Sequence, residues 1–311
     1  MATELTDSAC FTQRRANSLA YVLITPAKNE AKFIESTINA VLAQRVLPAR
    51  WVIVSDSSTD GTDELVQTHA AQHQWIELVR KHSSKKRHFA AKVDAFNAGY
   101  ARVKDLAYQV IGNLDADISF DDKNYFEYLM TKFSENPRLG VCGTSYREGD
   151  AIYPRKFSSI ADVFGACQLF RRECFETIGG YEPLRSGGID VLAVLKAQSE
   201  GWETRTFTEK VCVHHRPVSS AHCTGFWERF LETGRKDYLL GSHPGFEIFR
   251  GLYQMKNKPY VVGGLLMLIG YECAMFGSVQ RTIPAELVKL RQNDQIQRLK
   301  AALRRALCYP L

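Results

Sequence analysis

Residues 108–117 read Tyr-Gln-Val-Ile-Gly-Asn-Leu-Asp-Ala-Asp and contain the most informative pattern in the chain. The run 108–114 is short and mostly apolar, which is typical of a buried strand. Asp115 and Asp117 follow it, so two carboxylates lie one residue apart at the end of that strand. Such a pair can bind a hard divalent cation, which these sites share with the phosphates of a substrate. A solvated turn is the alternative interpretation, because Asp-x-Asp is a common pattern.

Three other apolar runs precede this strand, and helical periodicity recurs between them. They occupy residues 21–24, 51–54 and 75–79. Strands that alternate with helices predict right-handed βαβ units and a mostly parallel sheet. We expect the first strand to end at Thr25-Pro26, because proline cannot donate to a strand ladder. We also expect Asn29 to cap the helix that follows.

Polar segments follow three of these strands, at 25–30, 56–62 and 115–117. Ligands of such sheets bind beyond the carboxyl ends of the strands, and parallel strands bring these ends to one edge. We therefore expect the three segments to form a single site. The basic run Lys85-Lys86-Arg87 is predicted to be either an exposed loop or a loop that closes over this site.

Beyond residue 120 the regular alternation gives way to a mixture of elements. Residues 139–145 and 207–213 are predicted strands, whereas residues 172–178 and 191–200 are predicted helices. No Gly-x-Gly-x-x-Gly follows the first strand, and this disfavours a dinucleotide-dependent dehydrogenase.

The positive charge of the chain is concentrated near its C-terminal end. The formal net charge is +6, and residues 281–311 hold seven Lys and Arg against two Asp and Glu, a net of +5. The remainder is nearly neutral, which is unlike the distributed basic surface of a nucleic-acid-binding protein. The eight cysteines have no paired spacing, and the first residues lack the basic and apolar blocks of a signal peptide. These features predict reduced thiols and a cytoplasmic location.

Residues 260–277 are almost continuously apolar, but a spanning helix needs about 20 such residues. A helix with a basic face follows, and its apolar stripe contains Ile296, Leu299, Leu303 and Leu307. This combination favours peripheral binding to an anionic membrane surface, on its cytoplasmic face, without crossing it. The alternative is a buried core helix followed by a solvated one.

Four segments, in this order, resemble the motifs of family 2 glycosyltransferases. Residues 25–30, Thr-Pro-Ala-Lys-Asn-Glu, resemble the opening motif, and residues 54–62 resemble the second motif, with Ser57 where glycine is usual. Residues 115–117 resemble the metal motif, and residues 170–173 with Gly179-Gly180 are similar to the acceptor-side segment. The resemblance implies the GT-A fold, a Rossmann-like α/β fold with a mostly parallel sheet flanked by helices. It also implies inverting transfer of a sugar from a nucleotide diphosphate sugar.

The chain is expected to divide into two parts, because the resemblance is specific over about residues 21–215 and weaker beyond, and the composition shifts from Lys258. Residues 1–257 are expected to form the GT-A domain, with a nucleotide-sugar half at 20–120 and an acceptor half at 121–257. Residues 258–311 are expected to form an apolar and basic helical extension. The implied acceptor is a saccharide or a lipid-linked saccharide, in cell-surface glycan or lipid-linked saccharide synthesis.

Roles for individual residues follow from the same resemblance. The implied cofactor is Mn²⁺ or Mg²⁺, held by Asp115, Asp117 and His215, with His214 as the alternative to His215. Asp117 is the expected direct ligand, whereas Asp115 is expected to orient the ribose or a metal-bound water. The residues expected to bind the nucleotide sugar are Thr25, Pro26, Ala27, Asn29, Glu30, Asp56, Lys92, Asn97, Asp115, Ala116 and Arg216.

An inverting transfer needs a base that deprotonates the attacking hydroxyl. Many family members carry an acidic cluster before a helix in this region, whereas residues 186–191 here read Ser-Gly-Gly-Ile-Asp-Val. Asp190 is therefore the candidate catalytic base, and a helix N-cap is its alternative role. Asp56 has an Asx turn as its alternative, and Lys92 a solvated surface position.

Two rival functions are weighed against transfer. A nucleotidyltransferase that makes sugar nucleotides relies on an early Gly-rich phosphate loop, which the sequence lacks. An inactive transferase-like domain that acts as a sugar-nucleotide sensor or membrane scaffold would not need Asp115, Asp117 and Asp190, all of which are present. Hydrolysis of the donor separates an enzyme from a sensor.

Overall fold

The computed structural model describes residues 19–82, 89–149, 151–152, 157–184, 186–216 and 225–308. These residues form a nine-stranded sheet with helices on both faces and a group of helices near the C-terminal end. The α/β class predicted from the sequence is therefore confirmed. The basic run Lys85-Lys86-Arg87 lies outside the described residues.

The sheet combines a parallel half with a mixed half. In chain order the strands are β1 (Tyr21–Ala27), β2 (Arg50–Asp56), β3 (Ile76–Lys81), β4 (Val110–Leu114), β5 (Ile118–Ser119), β6 (Leu139–Glu148), β7 (Ala151–Ile152), β8 (Cys167–Arg171) and β9 (Glu203–His214). Their spatial order is β3-β2-β1-β4-β8-β6-β9-β5, with β7 beside β6. The first four strands are parallel, whereas β8 is antiparallel to both of its neighbours.

Ten helices connect and cover these strands in the described part of the chain. They are α1 (Ile34–Leu42), α2 (Thr62–Gln72), α3 (Phe89–Val103), α4 (Tyr125–Glu135), α5 (Arg172–Thr177), α6 (Ile189–Ser199), α7 (Glu228–Leu239), α8 (Pro244–Gln254), α9 (Val261–Phe276) and α10 (Ala285–Cys308).

Strand β1 is longer than the sequence predicted. It pairs with β4 from Tyr21 to Ile24, but its pairing with β2 continues through Pro26 to Ala27. Pro26 therefore lies where β1 has a neighbour on one side only, a position at which a strand tolerates proline. The predicted cap was wrong as well, because α1 begins at Ile34 and Asn29 has a left-handed φ of +54°.

The core has two parts, one on each face of the sheet. Because successive side chains of a strand point to opposite faces, a strand covered on both sides is apolar at consecutive positions. One cluster includes Val22, Ile24, Val52 and Val54, and the other includes Leu23, Trp51 and Ile53. Burial of each such side chain contributes about 1.5–3 kcal/mol to stability. The consecutive apolar runs that marked these strands in the sequence follow from this double burial.

Strand β8 was not anticipated from the sequence, because a polar residue interrupts it. Gln168 is fully buried at its centre. Its amide donates to the carbonyl of Val163 at 3.1 Å and accepts from the Tyr181 hydroxyl at 2.6 Å. A buried amide is tolerated when its hydrogen bonds are made inside the protein, and here both partners come from other segments.

Helices α7, α8 and α9 pack together through glycines. A Cβ atom placed on Gly234 of α7 would lie 1.8 Å from the carbonyl oxygen of Met267, and one on Gly264 of α9 would lie 2.2 Å from that of Gly251 in α8. The backbones are therefore in direct contact. The predicted domain boundary after residue 257 falls between α8 and α9, which pack on each other. In the described part of the chain, no helix combines the length and apolarity that crossing a membrane requires.

The close contact between α7 and α9 leads to a stability prediction. We expect Gly234→Ala to lower the free energy of unfolding by about 1–3 kcal/mol or more, because an added methyl group forces the helices apart. The control is Gly225→Ala, whose added Cβ meets no atom closer than 3.5 Å. Thermal and urea unfolding of both variants would test this, and equal stability of the two would contradict the close packing.

Candidate active site

The first two motifs are joined to each other at the carboxyl ends of β1 and β2. The Asn29 backbone N–H donates to the Ser58 hydroxyl at 3.1 Å, and the Asn29 side-chain oxygen accepts from the Thr59 N–H at 2.9 Å. One residue further, the Glu30 N–H donates to the Thr62 hydroxyl at 2.8 Å. The left-handed backbone of Asn29 thus serves to connect two loops, which the sequence did not indicate.

Asp56 is the last residue of β2 and is buried at this edge. Its Oδ2 lies 3.7 Å from the Lys28 ammonium, so the first motif supplies a cation to the second. Ser57 follows with a φ of +57°, in the left-handed region that favours glycine. This backbone conformation is the physical reason for the usual glycine at that position of the motif.

Asp115 lies just beyond β4, where two donors hold its carboxylate. The Lys92 ammonium of α3 lies 2.5 Å from Oδ1, and the Asn113 amide donates to the same oxygen at 2.9 Å. Lys92 therefore faces the site, as expected. Asn97 is turned by about 140° from Lys92, because it lies five residues further along the helix, and it is exposed on α3.

Asp117 is buried among three other charged or ionisable groups. Its carboxylate lies 3.9 Å from Nε2 of His214 and 3.5 Å from Nε of Arg216, and Arg216 also pairs with Glu30. Burial, and next the negative charge of Asp115, raise the pKa of Asp117 above its ordinary value. The positively charged side chains nearby lower this pKa, but the pKa of Asp117 is still raised overall. A further cation would therefore stabilise the ionised form of Asp117.

The two histidines at the end of β9 have different partners. His215 Nε2 lies 2.8 Å from the Ser119 hydroxyl, and its ring stacks on Phe33. His214 Nδ1 is hydrogen-bonded to the Arg216 carbonyl, which can only accept, so this nitrogen carries the proton. Nε2 of the same ring is on the side of Asp117, 3.9 Å from its carboxylate, and metal-binding histidines commonly donate their other ring N–H in this way. The structure thus favours His214 over His215 for a cation on Asp117.

Asp115, Asp117 and His214 offer the oxygen and nitrogen donors that Mn²⁺ accepts. Within the described ranges, no three such side chains already converge as a metal-binding cluster. The residues fit a cation that is completed by other ligands, as in sites where substrate phosphates share a metal with one or two carboxylates.

Asp190 is connected to the metal motif through two residues, Gly165 and Asn113. Its Oδ2 accepts from the Gly165 N–H at 3.1 Å, and the Gly165 carbonyl accepts from the Asn113 amide at 2.6 Å. The same Asn113 amide group binds Asp115. A Cβ on Gly165 would lie 2.9 Å from the Asp190 Cβ, so this position requires glycine. Gly188, not Asp190, occupies the N-cap of α6.

Four other predicted residues have structural partners. The buried Thr25 hydroxyl accepts from the Trp51 indole at 2.9 Å, which turns it into the core. The Ala116 carbonyl accepts from the Thr37 hydroxyl at 2.8 Å and anchors the metal motif to α1. Pro26 and Ala27 complete β1, and Ala27 is buried. Pro26 and Ala27 thus lie at the carboxyl edge of the sheet. The Thr25 side chain is fully buried, so it has no direct access to a ligand at that edge.

Sequence analysis missed three residues of this site. Lys28 lay within the first motif without an assigned role, and Asn113 was counted as part of an apolar strand. A polar residue inside such a run, two positions before Asp115, was the available signal. Gly165 had no signal, because its role depends on contacts with residues 25 and 52 positions away.

Several solved structures share this architecture. Mannosyltransferase PcManGT from Pyrobaculum calidifontis, in complex with GDP-Man and Mn²⁺, has a TM-score of 0.56 at 17% identity over 97% of this chain and 88% of that chain. TarS of S. aureus in complex with UDP-GlcNAc has a TM-score of 0.51 at 14% identity over 90% and 81%. GalNAc-T7 with UDP, GalNAc and Mn²⁺ has a TM-score of 0.55 at 14% identity over 90% and 55%. The predicted GT-A fold is confirmed.

The family is identified by the sequence itself. The family model described as Glycosyl transferase family 2 matches residues 22–183, more than half of the chain. The chain therefore belongs to glycosyl transferase family 2, as its motifs predicted.

Curated relatives share part of the chain. Poly-beta-1,6-N-acetyl-D-glucosamine synthase of Staphylococcus aureus is 29% identical over 189 residues, which are 60% of this chain and 42% of that protein. The synthase of Staphylococcus epidermidis is 29% identical over 117 residues, 36% of this chain and 25% of that protein. The chain thus spans less than half of the length of these relatives.

The charge balance around Asp117 leads to a pH prediction. We expect Asp115→Asn to lower the pKa of Asp117, because it removes the negative neighbour that disfavours ionisation. A carboxyl group whose pKa is raised on folding destabilises the folded state as pH rises between its unfolded and folded pKa values. Asp115→Asn should therefore also lessen the loss of stability over that interval. Carboxyl ¹³C NMR titrations would measure this, with Asp94→Asn on the exposed side of α3 as control.

Proposed function

We propose that this protein transfers a sugar from a nucleotide diphosphate sugar to a hydroxyl group, with inversion at the anomeric carbon and a divalent cation. The observation that carries the proposal is the arrangement of Asp117 between His214 and Arg216, beside the Asp115–Lys92 pair. A site for a metal-bound diphosphate needs carboxylates that bind the metal ion, and it needs basic side chains that bind the phosphate oxygens.

The proposal specifies the donor as a class of compound, a nucleotide diphosphate sugar. The solved neighbours carry different donors, GDP-Man in PcManGT and UDP-GlcNAc in TarS. In this chain we assign the buried Asp56 to a base N–H or a ribose hydroxyl, because it is a carboxylate at the edge where these groups would bind. We assign Lys92 and Arg216 to the diphosphate.

We assign Asp117 and His214 as ligands of Mn²⁺ or Mg²⁺, with Asp115 at the same edge. When bound, the ion stabilises the negative charge that develops on the departing diphosphate. Arg216 pairs with Glu30 and Asp117 in this structure. If Asp117 binds the ion, Arg216 can keep its pair with Glu30 through Nη2, while its other N–H groups donate charge-assisted hydrogen bonds to a phosphate oxygen.

Asp190 is the proposed base. Its carboxylate takes the proton of the acceptor hydroxyl as that oxygen attacks the anomeric carbon. The new carbon–oxygen bond forms on the face of the anomeric carbon opposite the diphosphate. The bond between that carbon and the diphosphate breaks, and the diphosphate leaves with the electron pair. The Gly165 N–H holds Oδ2, so Oδ1 is the oxygen directed to the acceptor.

The curated relatives suggest a class of acceptor for this chain. They are named as synthases of a polysaccharide of N-acetylglucosamine. We propose that the acceptor here is a saccharide or a lipid-linked saccharide, in the synthesis of a cell-surface glycan.

The metal ligands can be tested by substitution. We expect Asp117→Asn to abolish transfer and to weaken donor binding in the presence of Mn²⁺, because an amide lacks the charge that holds the ion. Asp121→Asn removes an exposed carboxylate that pairs with Arg147, and it should leave both properties unchanged. Sugar transfer and calorimetric binding would be measured over a panel of nucleotide sugars. Undiminished wild-type transfer in excess chelator would refute the metal assignment.

The role of Asp190 as a base can be tested separately from donor binding. We expect Asp190→Asn to lower turnover by about 10²–10⁴ with donor affinity nearly unchanged, because asparagine can still accept from the Gly165 N–H. Gly165→Ala should show the same split, since its methyl group displaces Asp190. If donor affinity collapses while turnover per bound donor persists, Asp190 acts on the donor side. A wild-type protein that binds donor without hydrolysing or transferring it is a sensor.

A further inference from the structure

Exposed large apolar side chains are concentrated in helices α7 to α9 and the segments beside them. In the described part of the chain, those outside this region are Leu47, Ile152, Ile160 and Leu303. Those inside it are Phe226, Trp227, Ile248, Phe249, Leu252, Tyr260, Val261, Val262, Leu265, Ile269 and Phe276. Isolated exposed apolar residues are ordinary, but a concentration of this size marks an interaction surface.

The packing of the three helices places many of these residues at one end. Gly263 of α9 lies against Phe230 of α7, and Met267 lies against Gly234, so α7 and α9 run in the same direction. Gly264 contacts both Gly251 of α8 and Met255 at its C-terminal end, and Gly251 also contacts Leu268, so α8 runs antiparallel to α9. The start of α7, the end of α8 and the start of α9 therefore lie together.

Helix α9 has its small residues inside and its large apolar residues outside. Its buried face contains Gly263, Gly264, Met267, Gly270, Tyr271 and Ala274. Its outward face contains Val261, Leu265, Ile269 and Phe276, with Glu272 as the charged residue. Rotation cannot bury the outward side chains, since the glycines are needed where backbones touch. In a helix exposed to water the outward face is normally polar, so this arrangement suits an apolar surrounding.

We propose that this end of the helical group is a membrane-docking face, by which the protein lies in the interface of an anionic lipid bilayer. Here the docking face means Phe226, Trp227, Leu252, Val261, Leu265 and Ile269, together with Lys256 and Lys258. Trp and Tyr side chains are enriched at the boundary between headgroups and acyl chains, and Trp227 and Tyr260 are both exposed here.

The charged residues of the docking face favour its binding to lipid over its binding to a second copy of the chain. Lys256 and Lys258 are exposed in the turn between α8 and α9. Like charges of two identical faces would oppose each other, whereas anionic headgroups attract both lysines. With 16 residues, α9 is about 24 Å long, shorter than the roughly 30 Å hydrocarbon core. The proposal is therefore docking in the plane of the interface, and it does not rest on the proposed transfer reaction.

The apolar run 260–277, expected from the sequence to contact the membrane, forms α9 and is part of the docking face. Residues outside the expected segment 258–311 join it, namely Phe226 and Trp227 beside the start of α7 and Leu252 of α8. The basic last helix was the expected electrostatic part, whereas the docking face has Lys256 and Lys258 in the α8–α9 turn. Helix α10 buries part of its length against the domain, as shown by Gln295, which accepts from the His243 N–H at 2.7 Å.

Vesicle co-sedimentation of the full chain tests the docking face. We expect binding to vesicles of phosphatidylcholine and phosphatidylglycerol. Leu265→Gln/Ile269→Gln should lower the partition coefficient by about tenfold, with an unchanged melting temperature. Lys256→Gln/Lys258→Gln should remove mainly the salt-dependent part of binding. Leu47→Gln, an exposed apolar position on the other part of the molecule, should have no effect.

A second readout does not depend on the stability of the variants. Lipids brominated in the upper acyl chain should quench tryptophan fluorescence of the wild-type protein, and Trp227→Phe should lose most of that quenching. Equal partitioning of wild type and Leu265→Gln/Ile269→Gln, or no quenching, would overturn the proposal. So would a stable dimer in sedimentation velocity that the same double substitution dissociates, because a second copy would then cover the face.

Discussion

Two carboxylates lie next to each other at the end of β4, and one of them is buried. Charge of this kind is costly unless cations or donors offset it. Lys92 reaches Asp115 from α3, and Arg216 reaches Asp117 from beyond β9. These two contacts require α3, β4 and β9 to lie together, so the electrostatic balance of the site and the arrangement of the sheet depend on each other. The proposed binding of a divalent cation and a diphosphate depends on the same balance of charges.

A rigid connection joins the two sides of the site. Asn113 is buried in β4, and its amide contacts both Asp115 and the carbonyl of Gly165. The N–H of Gly165 holds Asp190. The donor-side carboxylate and the candidate base thus share one short path of hydrogen bonds, whose middle members are the Asn113 side chain on β4 and the backbone of Gly165. Groups held in this way lose little freedom when a substrate binds, which favours precise positioning.

The C-terminal helices obey a different constraint. Glycines let α7, α8 and α9 approach until their backbones touch, which fixes the large apolar side chains on the outside. The sequence showed an apolar segment at 260–277 but not its orientation, since periodicity is weak when nearly every residue is apolar. The boundary drawn at residue 257 remains a prediction, and the packing joins α9 to the two helices before it.

Much of the parallel half of the sheet was determined by the sequence alone. Consecutive apolar runs marked β1, β2 and β4, because strands buried on both faces must be apolar at neighbouring positions. Their polar ends, including Asp56, Asp115 and Asp117, were correctly placed at one edge. The tertiary structure decided what depends on partners distant in sequence. Asn97 is turned by about 140° from Lys92 on α3, the Thr25 hydroxyl is bonded to the Trp51 indole in the core, and Nε2 of His214 lies beside Asp117 whereas that of His215 lies beside Ser119. A hydrogen bond between segments leaves no periodic trace in either one, so only the folded chain reveals it.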